Sequence, residues 1–229
     1  MPEYPTLYHL LLLSLRKKDA IFTFNWDPFL VDTCERLAGE APLPHIFHLH
    51  GNVRVGFCKH CGLAMRKADV CRRCGASLTP TRLLYPVEQK NYTHDPFIAS
   101  QWDQARDFVR RAGIITIFGY SAPTTDKEAM AIFAEAWKGD DANKPIEQLE
   151  IIDVRDHEGL ARKWGSFAFF DHYEIHRSFY ESLLAHYPRR SCEALVHMGF
   201  DANFVEPIAW AGNLEGLTAG IAELIAHEG

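Results

Sequence analysis

Residues 113–123 read GIITIFGYSAP. The run from Ile114 to Phe118 is apolar at alternate and intervening positions alike, so neither face of such a strand suits water. That pattern belongs to a strand covered on both faces, as in a parallel sheet packed between helices. It stops at Gly119, and small polar residues follow. Working outward, residues 96–112 carry Phe97, Ile98, Trp102, Ala105, Phe108 and Val109 near helical spacing. Residues 125–137 read as the next helix, with Thr125 and Glu128 in capping-box spacing. Gln148–Val154 is a second buried strand with Asp153 at its end. Upstream, Ala20–Phe24 is β-rich and is stopped by Asn25, Trp26, Asp27 and Pro28. Pro28 suits the first turn of a helix over 29–37, with Asp27 as its cap. His45–Leu49 is a further short strand. Residues 8–15, 172–184 and 214–227 read as helical, and 139–147 as a connector. The alternation predicts an α/β fold: a Rossmann-like parallel sheet with helices on both faces.

Composition narrows the class. The chain has 229 residues, 47% of them hydrophobic, which is enough to bury a substantial core. A net charge of −6 argues against a general nucleic-acid surface. The longest apolar run, Leu10–Leu13, is far too short to span a bilayer. Lys17 and Lys18 follow the apolar run rather than precede it, the wrong order for a secretion signal. A cytoplasmic protein with no membrane partner is expected. Six cysteines in a reducing compartment point to metal rather than to disulfides.

Residues 52–82 differ in composition from their surroundings and read as an inserted module. Cys58-Lys-His-Cys61-Gly62 and Cys71-Arg-Arg-Cys74-Gly75 are matched knuckles, nine residues apart. Each CxxC turn presents two thiolates, and the following glycine lets the backbone direct its N–H groups at sulfur. Cys58, Cys61, Cys71 and Cys74 thus predict one structural Zn2+ site, closed by four sulfurs. A redox CxxC lacks the expected context. A nucleic-acid zinc ribbon is the rival reading, because Arg54, Lys59, Arg66, Lys67, Arg72, Arg73 and Arg82 lie in or near the module. The same basic residues also offset the negative charge of a zinc tetrathiolate.

Ligands of open parallel sheets sit beyond the carboxyl ends of the strands. That rule brings forward Asn25 and Asp27 after the first strand, His50 after the second, Gly119 and Ser121 after the third, and Asp153 at the end of the fourth. In PHIFHLHG, residues 44–51, alternation puts His48 and His50 on one face and His45 on the other. His50, at the strand end beside Gly51, is the catalytic candidate, and His48 reads as a core histidine. An imidazole with an ordinary pKa near 6.5 exchanges protons at neutral pH.

TFNWD at 23–27, LHG at 49–51, the two CxxCG knuckles and FGYSAPTTD at 118–126 together resemble the sirtuin (SIR2) family in order and spacing. The resemblance covers about residues 20–155. It implies an NAD-dependent enzyme that cleaves the nicotinamide–ribose bond, as a protein-lysine deacylase or an NAD hydrolase. His50 would act as general base on a ribose hydroxyl, and Asn25 would act beside it. Asn25, Asp27, Gly119, Ser121 and Asp153 would contact NAD, and an acyl-lysine protein or peptide would be the partner of a deacylase. The family's Gly-rich first loop has no counterpart here, and Trp26 replaces an aliphatic residue, as in bacterial SIR2-like proteins. The resemblance therefore implies a Rossmann-like SIR2 domain over 1–51 and 83–229 without its first βα unit, and a zinc module over 52–82. An incomplete or inactive enzyme is part of that expectation. The alternative is a non-catalytic zinc-containing binding or regulatory module, and assembly into an oligomer is left open.

Overall fold

The computed structural model describes residues 4–66, 70–85, 92, 94–121, 123, 126–138, 148–164, 173–200 and 207–228. Helix α1 (Leu7–Leu13) leads to strand β1 (Ala20–Thr23), helix α2 (Phe29–Arg36) and strand β2 (His45–His48). Strands β3 (Val55–Cys58), β4 (Leu63–Arg66) and β5 (Thr79–Pro80) form the inserted module. Helix α3 (Pro96–Arg111), strand β6 (Ile114–Phe118), helix α4 (Lys127–Lys138), strand β7 (Gln148–Ile152), helix α5 (His157–Trp164) and strand β8 (Tyr173–His176) follow. A 3-10 turn (Phe179–Glu181) and helices α6 (Leu183–His186), α7 (Ser191–Phe200) and α8 (Leu214–Ala226) complete the chain.

The strands make two parallel groups and one antiparallel one. β1 pairs with β2, from Ala20↔His45 to Thr23↔His48. β6, β7 and β8 pair in that order, with Ile114↔Gln148 and Leu149↔Tyr173 in register. The module sheet has the order β4-β3-β5. Apolar helix stripes cover the parallel strands on both faces. On one face Phe97, Ile98, Trp102, Phe133, Trp137 and Trp164 pack with Phe47, Leu149 and Ile151. On the other, Leu10, Leu13, Leu30, Leu37, Leu217 and Ile221 pack with Ile152 and Phe179. This is the α/β architecture with helices on both faces. No described helix is long and apolar enough to cross a membrane.

Local signals account for the element ends. Asp95 caps α3 by accepting from the Phe97 and Ile98 N–H groups, and Pro96 opens the helix. Asp27 accepts from the Phe29 N–H at 3.0 Å, so it serves the start of α2 from one residue before the cap. The Thr125 cap and the 139–147 connector lie outside the described residues.

Two expectations are corrected, and two helices were missed. The single helix expected over 172–184 is not found in the described part, 173–184: 173–176 are β8, and α-helix begins only at Leu183. The β choice follows from Tyr173 and Ile175, which pair with Leu149 and Ile151, and from Glu150, a fully buried carboxylate. Glu150 accepts from the Leu183 N–H at 2.7 Å and from the Thr116 hydroxyl at 3.2 Å, and lies 3.3 Å from His176 Nε2. A helix over 172–184 would leave that carboxylate without its β8 partner. Helices α5 and α7 were not legible in the pattern. Finally, β6 is half-buried rather than enclosed, whereas β7 is buried throughout.

Gly51 joins the module to the sheet. Its φ is +82°, and a Cβ there would lie 2.0 Å from the Arg82 carbonyl oxygen. The returning segment is fixed against it: the Leu84 N–H donates to the His50 carbonyl, and the Asn52 N–H donates to the Thr81 hydroxyl oxygen. Gly51→Ala is expected to cost more than about 2 kcal/mol, because both the positive φ and the backbone contact resist it. Urea unfolding checks this, and an unchanged midpoint would contradict the stated packing.

Candidate functional site

The cysteine module is the best-defined site. The four Sγ atoms of Cys58, Cys61, Cys71 and Cys74 lie within 4.8 Å of one another. Cys58 Sγ and Cys74 Sγ are 3.6 Å apart, close to the separation of about 3.8 Å that tetrahedral Zn–S bonds of ~2.3 Å require. Gly62 and Gly75 adopt φ of +66° and +73°, and their N–H groups donate to the Cys58 and Cys71 carbonyls. Those turns aim the Cys61 N–H at Cys58 Sγ and the Arg73 N–H at Cys71 Sγ, each at 3.4 Å. The Arg73 and Cys74 N–H groups hold the Cys71 thiol down to about 7, a value that suits a metal-bound thiolate. Crowding by the other sulfurs, Cys74 first, pushes Cys61 up to about 12. Four sulfurs this close repel as thiolates unless a cation sits among them, so the residues fit zinc. The ion would close the module and leave no open position for substrate.

The second site lies at the carboxyl ends of the parallel strands. The sheet order runs outward from β1 to β2 on one side and from β6 through β7 to β8 on the other. The order in which strands are added therefore reverses between β1 and β6, the kind of switch point at which open α/β sheets bind ligands. A cleft of about 750 Å3 runs along β1 and β6 up to their carboxyl ends, lined by residues 18–25 and 111–120. Asn25, exposed, and Gly119 both line it. A neighbouring hollow of about 500 Å3 contains Gly119, Ser121, Asp153, Arg155 and Arg177. Phe118 and Gly119 border both spaces.

Asn25 and Gly119 thus line one cleft, and Gly119, Ser121 and Asp153 line the hollow beside it. Asp153 accepts from Arg155 Nε at 2.9 Å, and this guanidinium holds its carboxyl below the usual range. Ser121 is exposed, and its carbonyl accepts from Lys163. Asp27 sits half-buried with its carbonyl accepting from Asn52 Nδ2 at 2.8 Å. That bond and the Val53 N–H to Trp26 carbonyl bond tie the loop after β1 to the loop after β2.

His50 is 5% exposed. Its ring meets Phe24 edge-on at 4.8 Å and stacks at 6.2 Å on Tyr92. Phe24 in turn stacks on Tyr120 at 4.4 Å. Phe24 is therefore the shared neighbour of His50 and of the cleft wall, and His50 does not line the cleft itself. Tyr120 donates to Asp126 Oδ2 at 2.7 Å, and burial is the first cause that raises its hydroxyl pKa. His48 is a buried core residue, and desolvation lowers it to about 4. His45 is exposed.

Arg155, Lys163, Tyr92 and Tyr120 were missed in the sequence. Arg155 carried a local signal, two residues beyond Asp153. Lys163 reaches Ser121 across 42 residues, and Tyr92 meets His50 across a similar span, so neither leaves a spacing pattern.

No protein-family model matches the sequence, and no curated protein matches it. Solved structures that it is similar to are Sir2 homologues and sirtuins. A Sir2 homologue in complex with NAD is 18% identical, covering 83% of this chain and 66% of its own, with a TM-score of 0.44. A Sir2 homologue mutant in complex with ADP-ribose is 15% identical, covering 98% and 69%, with a TM-score of 0.41. A structure described as the basis for sirtuin substrate affinity is 16% identical, covering 86% and 73%, at 0.39. The chain thus spans just under two thirds of the first of these.

Two outcomes are expected from this geometry. Cys71→Ser should reduce bound zinc from one equivalent to near zero by elemental analysis; full retention would contradict four-sulfur ligation. The second concerns acid stability. His48 in the folded chain titrates below the ordinary value, so the unfolded chain takes up its proton first as pH falls. The stability held by neutral His48 is present above about 6.5 and is lost between there and about 4. Between pH 7 and 5 the loss is about 2 kcal/mol. His176 shifts the opposite way through Glu150, so comparison with His48→Gln isolates the effect. The variant should lose less stability over this interval in urea titrations; an equal loss would contradict it.

Proposed function

We propose that this chain is a SIR2-like module that binds NAD at the switch point and cleaves its nicotinamide–ribose bond. The observation that carries the reading is that Asn25 and Gly119, at the carboxyl ends of β1 and β6, line one cleft, and that Gly119, Ser121 and Asp153 line the hollow beside it. The four-cysteine module inserted directly after His50 supports it further, as do the ordered motifs in the sequence. The Sir2 homologues with NAD and ADP-ribose bound indicate the ligand class to test.

In this reading Gly119 and Ser121 hold phosphate or ribose oxygens, where the lack of a side chain at Gly119 allows close approach. Asp153 and Asp27 accept from ribose hydroxyls. Breaking the nicotinamide–ribose bond builds positive, oxocarbenium-like character at the anomeric carbon. The Asn25 amide orients a hydroxyl or water there without adding charge. His50 accepts a proton from a ribose hydroxyl. Phe24, Tyr92 and Tyr120 keep that imidazole from bulk water. The incoming nucleophile is an acyl-lysine oxygen in a deacylase and water in an NAD hydrolase. The zinc module holds the loops after β1 and β2 through Gly51, Asn52 and Val53. It takes no part in the bond cleavage.

A second reading is favoured by one observation: His50 is enclosed by Phe24 and Tyr92 and does not border the cleft. That arrangement suits a non-catalytic module whose imidazole is structural. Nicotinamide release from NAD, measured by mass spectrometry with and without an acetyl-lysine peptide, separates the two. The catalytic reading expects release that falls at least about a hundredfold in His50→Ala. Dependence on the peptide marks a deacylase, and release with water alone marks a hydrolase. Background release by both proteins would overturn catalysis and favour the binding module.

A further inference from the structure

The hollow beside the cleft is walled by two arginines, Arg155 and Arg177. In dinucleotide folds an acidic residue past a strand end hydrogen-bonds the 2′-hydroxyl of the adenosine ribose, whereas an arginine nearby accommodates a 2′-phosphate. A bare carboxylate also repels phosphate. Here the carboxylate at the end of β7 is not bare. Asp153 is 8% exposed. Its Oδ1 accepts from the Arg155 N–H at 3.0 Å and from Arg155 Nε at 2.9 Å, and its Oδ2 accepts from Arg155 Nη2. The guanidinium offsets the charge of Asp153, while Oδ2 can still meet one ribose hydroxyl.

Both arginines keep donors in reserve. Every N–H of a guanidinium is a donor, and none accepts. Arg155 Nε and Nη2 serve Asp153, and Nη2 also donates to the Tyr120 carbonyl at 3.3 Å. Among the described residues Arg155 Nη1 has no partner, and the side chain is 39% exposed. Strand register puts the second arginine next to the first. The Asp153 N–H donates to the His176 carbonyl at 2.9 Å, so Arg177 follows directly beside Asp153. Arg177 is exposed, and its guanidinium pairs with no carboxylate among the described residues. The carboxylates nearby are turned to backbone groups: Asp156 accepts from the Gly159 N–H at 2.7 Å, and Glu181 from the Arg177 N–H at 3.0 Å. Tyr180, 55% exposed, lines the same hollow and offers a ring on which a purine can stack.

We propose that the dinucleotide taken at this site carries a phosphate on its adenosine ribose, so that the 2′-phosphorylated form of NAD is preferred to NAD itself. Arg155 and Arg177 are the residues that set the preference. Their planar forks match a phosphate monoester, with Nη1 of Arg155 and the guanidinium of Arg177 donating to its oxygens. The adenosine end occupies the hollow, and the chain of the ligand passes Gly119, which borders both spaces, into the cleft lined by Asn25. The inference rests on the reading that a dinucleotide binds at the switch point, and it names which dinucleotide.

The test uses the whole zinc-loaded chain and two ligands that have no nicotinamide bond to break, ADP-ribose and ADP-ribose 2′-phosphate. Affinities are read by isothermal titration calorimetry at physiological ionic strength. The phosphorylated ligand should bind at least about tenfold more tightly. Arg177→Gln changes an exposed side chain that makes no contact within the chain, and it should bring the two affinities to within about threefold of each other. Because the readout is a ratio within one protein, a general loss of stability does not imitate it. Equal binding of the two ligands, or tighter binding of ADP-ribose, would overturn the phosphate preference and leave the dinucleotide reading standing. A preference that survives both Arg177→Gln and Arg155→Gln would overturn its assignment to this hollow. Binding of neither ligand at millimolar concentration would overturn the dinucleotide reading and this inference with it.

Discussion

A buried strand must satisfy its backbone groups along two edges, and this constraint organises the molecule. β7 meets it, held between β6 and β8 and buried over its whole length. Among the described residues β1 and β6 each meet it on one edge only. The sheet is consequently two parallel groups that turn away from a common line. Along that line the order in which strands are added reverses, and the polar strand ends collect there. The cleft, the hollow beside it and the placement of Asn25 and Gly119 on one cleft all follow from this single reversal.

The inserted module acts on that line from the side. Its sheet returns the chain at Thr81–Leu84, where backbone and hydroxyl bonds fasten it to His50 and Asn52. Gly51 is the joint, because a side chain there would collide with Arg82. A zinc ion held by the four sulfurs would stiffen the module, and through the joint it would stiffen the loops after β1 and β2. The glycine of LHG is thus explained by packing. The histidine before it is enclosed by Phe24, just past β1, and by Tyr92, ahead of α3.

Much of the fold was legible because parallel strands announce themselves. GIITIF is apolar on nearly every position, QLEII is apolar apart from Gln148 and Glu150, and the breaks at Gly119 and Asp153 mark their ends. The four cysteines were legible for a different reason: a knuckle is local, so its spacing survives in the sequence. What failed was long-range. Residues 172–184 mix two periods, and their β start is decided by Leu149, Glu150 and Ile151, more than twenty residues away. The half-burial of β6 was invisible because a strand's composition reports the environment it suits, and says nothing of whether a neighbour occupies its second edge. For the site, strand-end logic brought forward Asn25, Asp27, His50, Gly119, Ser121 and Asp153, of which Asn25 and Gly119 line the cleft and His50 does not. It could not reveal that Phe24 stands between His50 and the cleft, since that depends on how rings from three elements pack.

The central claim is that polar groups at the ends of separate strands form one receptor for a dinucleotide. A 1H–15N NMR titration with NAD tests it most directly. The account predicts that the Asn25, Gly119, Ser121 and Asp153 amides shift together with a single dissociation constant, while the Lys59 and Arg72 amides of the zinc module stay still. Shifts confined to the module, or no shift at millimolar NAD, would contradict it.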